Sequence, residues 1–300
     1  MSDPIRIAGL TRKFRRTLVL KGIDLAVPRE SVFALIGPNG AGKTTTIKIA
    51  MNILRPTSGR AEILGIDSRR LAGRDFTRIG YVSENQEMPD WMTVDYFMRY
   101  LRPFYPAWDD ALAAQLIGRF NLPGGRKLKH LSRGMRMKAA LASSLAYRPE
   151  VIVLDEPFTG LDPLARDEFI EGLLERSQNT TVFISSHDLA DIETFASHIA
   201  YLEDGRILFS EELSALADRF REIEITFDAA PPLPADWPAS WLRPESSAAV
   251  IRFTDSRYDA ARTNAEIRAR FPGVRDISAT PMPLRSIFVT VAKSAQRAAA

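Results

Sequence analysis

The stretch Gly37-Pro38-Asn39-Gly40-Ala41-Gly42-Lys43-Thr44-Thr45 decides how this chain is read. It fits the pattern G-x-x-x-x-G-K-[ST], with Gly37, Gly42, Lys43 and Thr44 at the fixed positions. Before it, Ser31-Val32-Phe33-Ala34-Leu35-Ile36 is a short apolar run that reads as a buried strand. After it, Thr45 to Met51 carries apolar residues at helical spacing. Strand, glycine loop and helix is the context a phosphate loop requires. The glycines let successive backbone N–H groups point at one anion, and the helix N-terminus adds its partial positive charge. In that reading Lys43 reaches the β- and γ-phosphates of a nucleotide and the Thr44 hydroxyl binds Mg²⁺.

The chain has 300 residues, enough for one large domain and a smaller one. Forty basic residues against 37 acidic ones leave a net charge of +3, too small to argue for nucleic acid. The absence of cysteine excludes disulfides and thiolate chemistry. The first residues, Met1-Ser2-Asp3-Pro4-Ile5-Arg6, lack the apolar core of a signal peptide. No apolar run approaches the ~18 residues of a spanning helix. The expectation is a soluble, cytoplasmic chain that depends on another polypeptide for any membrane spans.

Residues 5–30 read as two strands joined by a basic turn that holds Phe14 among Arg12, Lys13, Arg15 and Arg16. Ala61–Leu64 and Ile79–Val82 are further strand candidates. From Trp91 to Phe120 the pattern is helical and aromatic, with Trp91, Tyr96, Phe97, Tyr100, Phe104, Tyr105 and Trp108. That set reads as the core of a helical subdomain, and part of it as an exposed groove for a partner. Helices are expected over Met135–Tyr147, capped near Ser132, and over Pro163–Arg176. Val151–Leu154 and Thr181–Ile184 are apolar enough for central parallel strands. Glu203-Asp204-Gly205 is a hairpin signal.

After Phe220 the pattern changes. Ile223, Ile225 and Phe227 alternate, and prolines follow at 231, 232, 234 and 238. Strands are expected at Ala249–Phe253 and Ser286–Val291, with a helix over Asp259–Phe271 between them. The expected organisation is therefore a domain over 1–218, a small α+β unit over 219–293 and a disordered tail over 294–300.

Asp155 stands at the carboxyl end of an apolar strand, where open α/β sheets place their chemistry, and can hold Mg²⁺ through water. Glu156 beside it is the candidate to polarise an attacking water. His187 ends another strand and can hydrogen-bond a γ-phosphate.

Together these residues resemble the ATP-binding-cassette (ABC) ATPases over roughly residues 3–215. Gly37–Thr45 matches the family's Walker A loop and Val151–Glu156 its Walker B strand with the following glutamate. Leu131-Ser132-Arg133-Gly134-Met135 is similar to the signature, Gly160-Leu161-Asp162 to the D-loop, and His187 to the switch histidine. Phe14 stands where the family stacks an aromatic on adenine. Three positions depart from the pattern. Arg133 replaces a signature glycine, Met135 replaces a common glutamine, and the Q-loop position, counted from Gly80-Tyr81, falls on Glu84, with Gln86 as the alternative.

The resemblance implies an α/β P-loop NTPase of the ABC type with a helical subdomain, followed by the small α+β domain. It implies ATP and Mg²⁺ as ligands. Pro38, Asn39, Gly40, Ala41 and Thr45 would line the phosphates with Gly37, Gly42, Lys43 and Thr44. Thr44, Glu84 and Asp155 would serve the metal, and Lys43, Glu156 and His187 the hydrolysis. It also implies a head-to-tail homodimer or heterodimer in which Ser132, Gly134 and Asp162 act across the interface. The run Ser83–Trp108 is similar to the single-domain ATPases of bacterial drug and bacitracin exporters, whose separate permease holds them at the inner face of the cell membrane. A soluble ABC ATPase acting on ribosomes or DNA and an importer ATPase are the alternatives. The single cassette and the lack of a coiled-coil insertion weigh against the former, and no nucleic-acid partner is expected.

Overall fold

The computed structural model describes residues 3–175, 179–229, 231, 234 and 236–299. The chain divides into two compact units, Met1–Ser210 and Glu211–Ala300. The division falls eight residues before the boundary expected between 218 and 219.

In the first unit, β1 (Ile5–Phe14) and β2 (Thr17–Val27) form a hairpin whose turn is Arg15-Arg16, so Phe14 is a strand residue. β3 (Val32–Ile36) leads into the glycine loop and α1 (Lys43–Ala50). β4 (Ser58–Ile63), β5 (Ile66–Asp67) and β6 (Ile79–Ser83) follow, then α2 (Val94–Leu101), α3 (Asp110–Arg119) and α4 (Arg133–Leu145). The unit is completed by β7 (Val151–Asp155), α5 (Pro163–Leu174), β8 (Thr181–Ser186) and β9 (His198–Glu203), with β10 (Arg206–Glu212) reaching the division.

Two sheets result. One is antiparallel in the order β2-β1-β4-β5, and the other runs β10-β9-β3-β8-β7-β6. In the second, β3, β8, β7, β6 and β9 are parallel. Every residue of β7 and β8 is buried, as strands covered on both faces must be. One apolar core gathers Ile5, Leu10 and Ile63 of the antiparallel sheet with Leu35, Val153 and Phe183 of the parallel one, around Ile47 of α1.

The helix starts are set by side chains that accept the free N–H groups of the first turn. Thr93 caps α2, Asp109 α3, Ser132 α4 and Asp162 α5. The expected helix at 163–176 ends at Leu174, and its last expected residue, Arg176, lies outside the described residues. α4 packs on α2, α3, α5 and β6, and so ties the helical subdomain to the parallel sheet. Of the aromatic set, Phe97 is buried and Tyr105 stacks on buried Tyr147 with centroids 3.9 Å apart. Trp91, Tyr96, Tyr100 and Phe104 are exposed. The reading of that set as core is thus corrected for these four.

The second unit holds α6 (Leu213–Arg219), β11 (Arg221–Phe227), β12 (Trp241–Ser247), β13 (Val250–Asp255), α7 (Ala260–Arg270), β14 (Val274–Pro281) and α8 (Leu284–Ala299). Its sheet runs β12-β13-β11-β14, antiparallel throughout. Ile223, Ile225 and Phe227 pack with Trp241, Phe253, Ile267 and Phe271. Two expectations are corrected here. Ser286–Val291 is not a strand but part of α8, and the backbone from Ser294 to Ala299 is helical rather than disordered. Leu284, Ile287, Phe288 and Val291 recur at i, i+3, i+4 and i+7, a helical period that a six-residue window cannot separate from a strand. Pro232 and Ala300 lie outside the described residues.

Candidate nucleotide site

The parallel register builds the site. Ile36 lies opposite Ser186, Ser185 opposite Asp155, and Asp155 opposite Ser83. The residues that follow these strands, Gly37, His187, Glu156 and Glu84, therefore leave the sheet along one edge. Brought together there, they are the carboxyl-end chemistry of an α/β sheet.

The loop after β3 needs glycine at two points. A Cβ on Gly37 would sit 2.1 Å from the carbonyl oxygen of Leu202. Gly42 adopts φ +115°, and a Cβ there would come within 2.5 Å of the Leu20 side chain. Gly42 delivers the chain into α1, whose first residue, Lys43, is only 5% exposed. The Lys43 ammonium donates to the Gly37 carbonyl at 2.7 Å and to that of Pro38 at 3.2 Å, and faces Glu156 Oε1 at 3.1 Å.

Asp155 is buried and accepts two hydroxyls on one oxygen, from Thr44 at 3.0 Å and from Ser185 at 2.9 Å. Burial pushes its pKa above the ordinary value in spite of those hydrogen bonds. Glu156 follows in the left-handed region, φ 51°, a conformation that costs a side-chain-bearing residue about 1 kcal/mol. Its amide donates to Ser185 Oγ at 3.0 Å, and its Oε2 lies 2.8 Å from His187 Nδ1. Burial pushes the Glu156 carboxyl up, but the His187 hydrogen bond and the Lys43 charge outweigh it and hold the pKa below the ordinary value. Glu156 is thus an ionised carboxylate clamped between two nitrogen groups.

Lys43, Thr44, Glu156 and His187 line a cavity of about 570 Å³ with Asn39, Gly40, Thr45 and Glu84, and Asp155 lies buried behind Thr44. Thr44, Asp155 and Glu84 offer it hard oxygen donors. Among the described residues no group of three or more His, Cys, Asp or Glu could hold a metal unaided. That donor set fits Mg²⁺, which takes one or two carboxylates and completes its shell with water and phosphate oxygens.

Other expected residues lie apart from this cavity. Phe14 is exposed at the end of β1, with the Arg12 guanidinium 4.4 Å above its ring centroid. Ser132 caps α4 by accepting from the Met135 amide at 3.2 Å. Gly134 lies in the first turn, where a Cβ would meet that of Ala165 at 3.2 Å. Asp162 accepts from the Ala165 amide at 2.9 Å. Gln86 lines a separate groove with Tyr100 and Tyr147, while Glu84 lines the phosphate cavity.

Three cavity neighbours belong to no motif read from the sequence. Ser185 bridges Asp155 and the Glu156 amide, Thr159 donates to Glu156 Oε2 at 3.4 Å, and Val19 of β2 forms part of the wall. Ser185 stands two residues before His187 at the end of β8, the one hint available.

The ABC transporter family model matches residues 20–159. The lantibiotic transport ATP-binding protein SrtF of Streptococcus pyogenes is 30% identical over 212 residues, which cover 69% of this chain and 90% of SrtF. An uncharacterized ABC transporter ATP-binding protein of Synechocystis is 35% identical over 205 residues, 65% of this chain but only 57% of that relative's own length. A solved ATP-binding subunit of an ABC transporter superposes with a TM-score of 0.65 at 26% identity, covering 71% of this chain and 92% of that one. With the phosphate loop, the strand-end carboxylates and these likenesses in agreement, the chain belongs to the ABC transporter family and carries its ATP-binding ATPase domain.

Proposed function

We propose that the protein is the ATP-hydrolysing motor subunit of a membrane exporter, dimerising head-to-tail around ATP and driving a separate permease. The observation that carries the hydrolytic part is the Glu156 carboxylate, ionised and held between Lys43 and His187 at the wall of the phosphate cavity. In this reading the glycine-loop amides and Lys43 bind the phosphates, and Thr44, Asp155 and Glu84 would hold Mg²⁺, which would neutralise charge on the phosphates. Glu156 accepts the proton of the attacking water, and His187 orients the carboxylate.

Ser132 and Gly134 sit at the N-terminus of α4, outside their own chain's cavity, and this supports a role toward the nucleotide of a second subunit. The exposed Tyr100 and Phe104 beside the Gln86 groove supply an aromatic face suited to a permease. No helix among the described residues is long and apolar enough to cross a membrane, which supports a partner that carries the spans. The relative SrtF is named for lantibiotic transport, and that favours export over the other readings.

Glu156→Gln tests the proposal. It retains ATP binding, loses hydrolysis by about 10²–10⁴-fold, and accumulates an ATP-dependent dimer on size-exclusion chromatography. A variant saturated with ATP that stays monomeric rules out the sandwich.

A further inference from the structure

Glu84 and Arg133 stand at two of the positions where this chain departs from the pattern of its family, and they are bonded to each other. Arg133 Nη2 donates to Glu84 Oε1. The residues are 49 apart in sequence, one just past β6 and the other the first of α4. The Glu84 backbone and the Arg133 guanidinium each have a further neighbour. The Glu84 amide donates to the Asp155 carbonyl at 3.0 Å, which pins it to the strand that carries the site. The Arg133 guanidinium passes over Gly160, where a Cβ would approach its Nη1 to 2.9 Å. Gly160 has φ +70°, so a side chain there is unfavourable in any case. One guanidinium thus joins the segment after β6, the start of α4 and the turn before α5.

The cavity explains why the pairing matters. Glu84 lines it, together with Lys43, Thr44 and Glu156. Lys43, the buried cation of the wall, is already faced by Glu156, and the Asp155 carboxylate accepts the Thr44 and Ser185 hydroxyls. A nucleoside triphosphate entering this space meets in Glu84 a carboxylate whose one ion pair, among the described residues, is with Arg133. Like charges in a partly buried site cost far more than in water, because the local dielectric is lower.

We propose that Arg133 is a positioning residue for nucleotide binding. It neutralises Glu84 through Oε1, so that the cavity accepts a polyphosphate chain despite an acid where the family has an amide. The pair replaces a neutral glutamine–glycine combination by an ion pair of the same net charge. This inference rests on the phosphate-cavity reading above but not on the dimer.

The test is a four-member cycle of wild type, Glu84→Gln, Arg133→Gly and the double variant. ATP affinity is measured by displacement of a fluorescent ATP analogue, once in EDTA and once with Mg²⁺, and thermal midpoints are taken without nucleotide. Arg133→Gly should weaken ATP binding about tenfold in EDTA, equivalent to about 1.4 kcal/mol, and by less with Mg²⁺. Glu84→Gln should bind at least as tightly as wild type in EDTA, and the double variant should return to within about threefold of it, the cycle being strongly non-additive. Arg133→Lys keeps the charge and should stay within about threefold of wild type, which separates loss of charge from loss of folding. Additive effects, or an Arg133→Gly variant and a double variant that are equally weak, overturn the proposal. Lys43→Ala in the same assay keeps the two levels apart. If it binds ATP normally, the phosphate-loop reading itself fails; if it loses ATP while the cycle is additive, only the Glu84–Arg133 inference fails.

Discussion

His187 Nδ1 lies 2.8 Å from Glu156 Oε2, on the side of the carboxylate opposite the Lys43 ammonium. The two contacts divide the oxygens of one side chain between an imidazole and a buried cation. That division keeps Glu156 ionised in a half-buried place, and it makes the histidine answerable for the carboxylate's basicity and aim.

Replacing His187 by Ala therefore removes one of the two influences that lower the Glu156 pKa. The folded pKa lies below the ordinary 4.5, so the ionised form adds stability that is present above that value and is lost as pH falls through the folded pKa. In His187→Ala the folded pKa moves up, the stabilisation shrinks, and the acid limb of the hydrolysis profile shifts to higher pH. Hydrolysis at neutral pH falls about a hundredfold, while ATP affinity changes little. A pH–rate profile whose acid limb does not move would show that His187 acts independently of the carboxylate.

Asp155 gives the opposite sign. Burial raises its folded pKa, so its charge costs stability, a cost absent below the unfolded pKa and complete above the folded one. Asp155→Asn keeps an acceptor for the Thr44 and Ser185 hydroxyls and removes the buried charge. The thermal midpoint of the nucleotide-free protein should rise by roughly a few degrees at neutral pH and converge on wild type in acid, while Mg²⁺-dependent hydrolysis is lost. This is the trade between stability and a site held in readiness for a cation.

Gly37→Ala places a methyl group against the Leu202 carbonyl, at an ideal distance of 2.1 Å that neither backbone can accept. The expected loss is about 2 kcal/mol or more in denaturant unfolding, together with weakened ATP binding as the loop shifts. Gly125, with open space around its Cβ position, is the control site, and Gly125→Ala should change stability little.

A chain ended after Glu212, the last residue of β10, should fold and bind ATP as the full chain does. The two units have separate apolar cores, one around Ile47 and Phe183 and the other around Ile225 and Phe253. Circular dichroism and nucleotide displacement on the shortened protein check this, and an insoluble or nucleotide-blind product would count against independence of the units.

The sequence by itself determined whatever is written in contiguous residues. The phosphate loop between an apolar strand and a helix, the cap Ser132, the alternation of Ile223, Ile225 and Phe227 and the strand-end Asp155-Glu156 were all legible. Their physics is local: glycine torsions, orphan N–H groups, and a period of two or of 3.6. Tertiary structure decided the rest. The order β3-β8-β7-β6 sets Ser185 against Asp155 and brings His187 to Glu156, and no spacing announces either meeting. The left-handed turn at Glu156, the exposure of Tyr100 and Phe104 and the helix at Leu284–Ala299 likewise depend on what packs alongside. Glu84 and Arg133 make the point most sharply. Each reads alone as a misplaced charge, and only the packing of α4 onto β6 turns two charges 49 residues apart into one neutral pair at the wall of the nucleotide site.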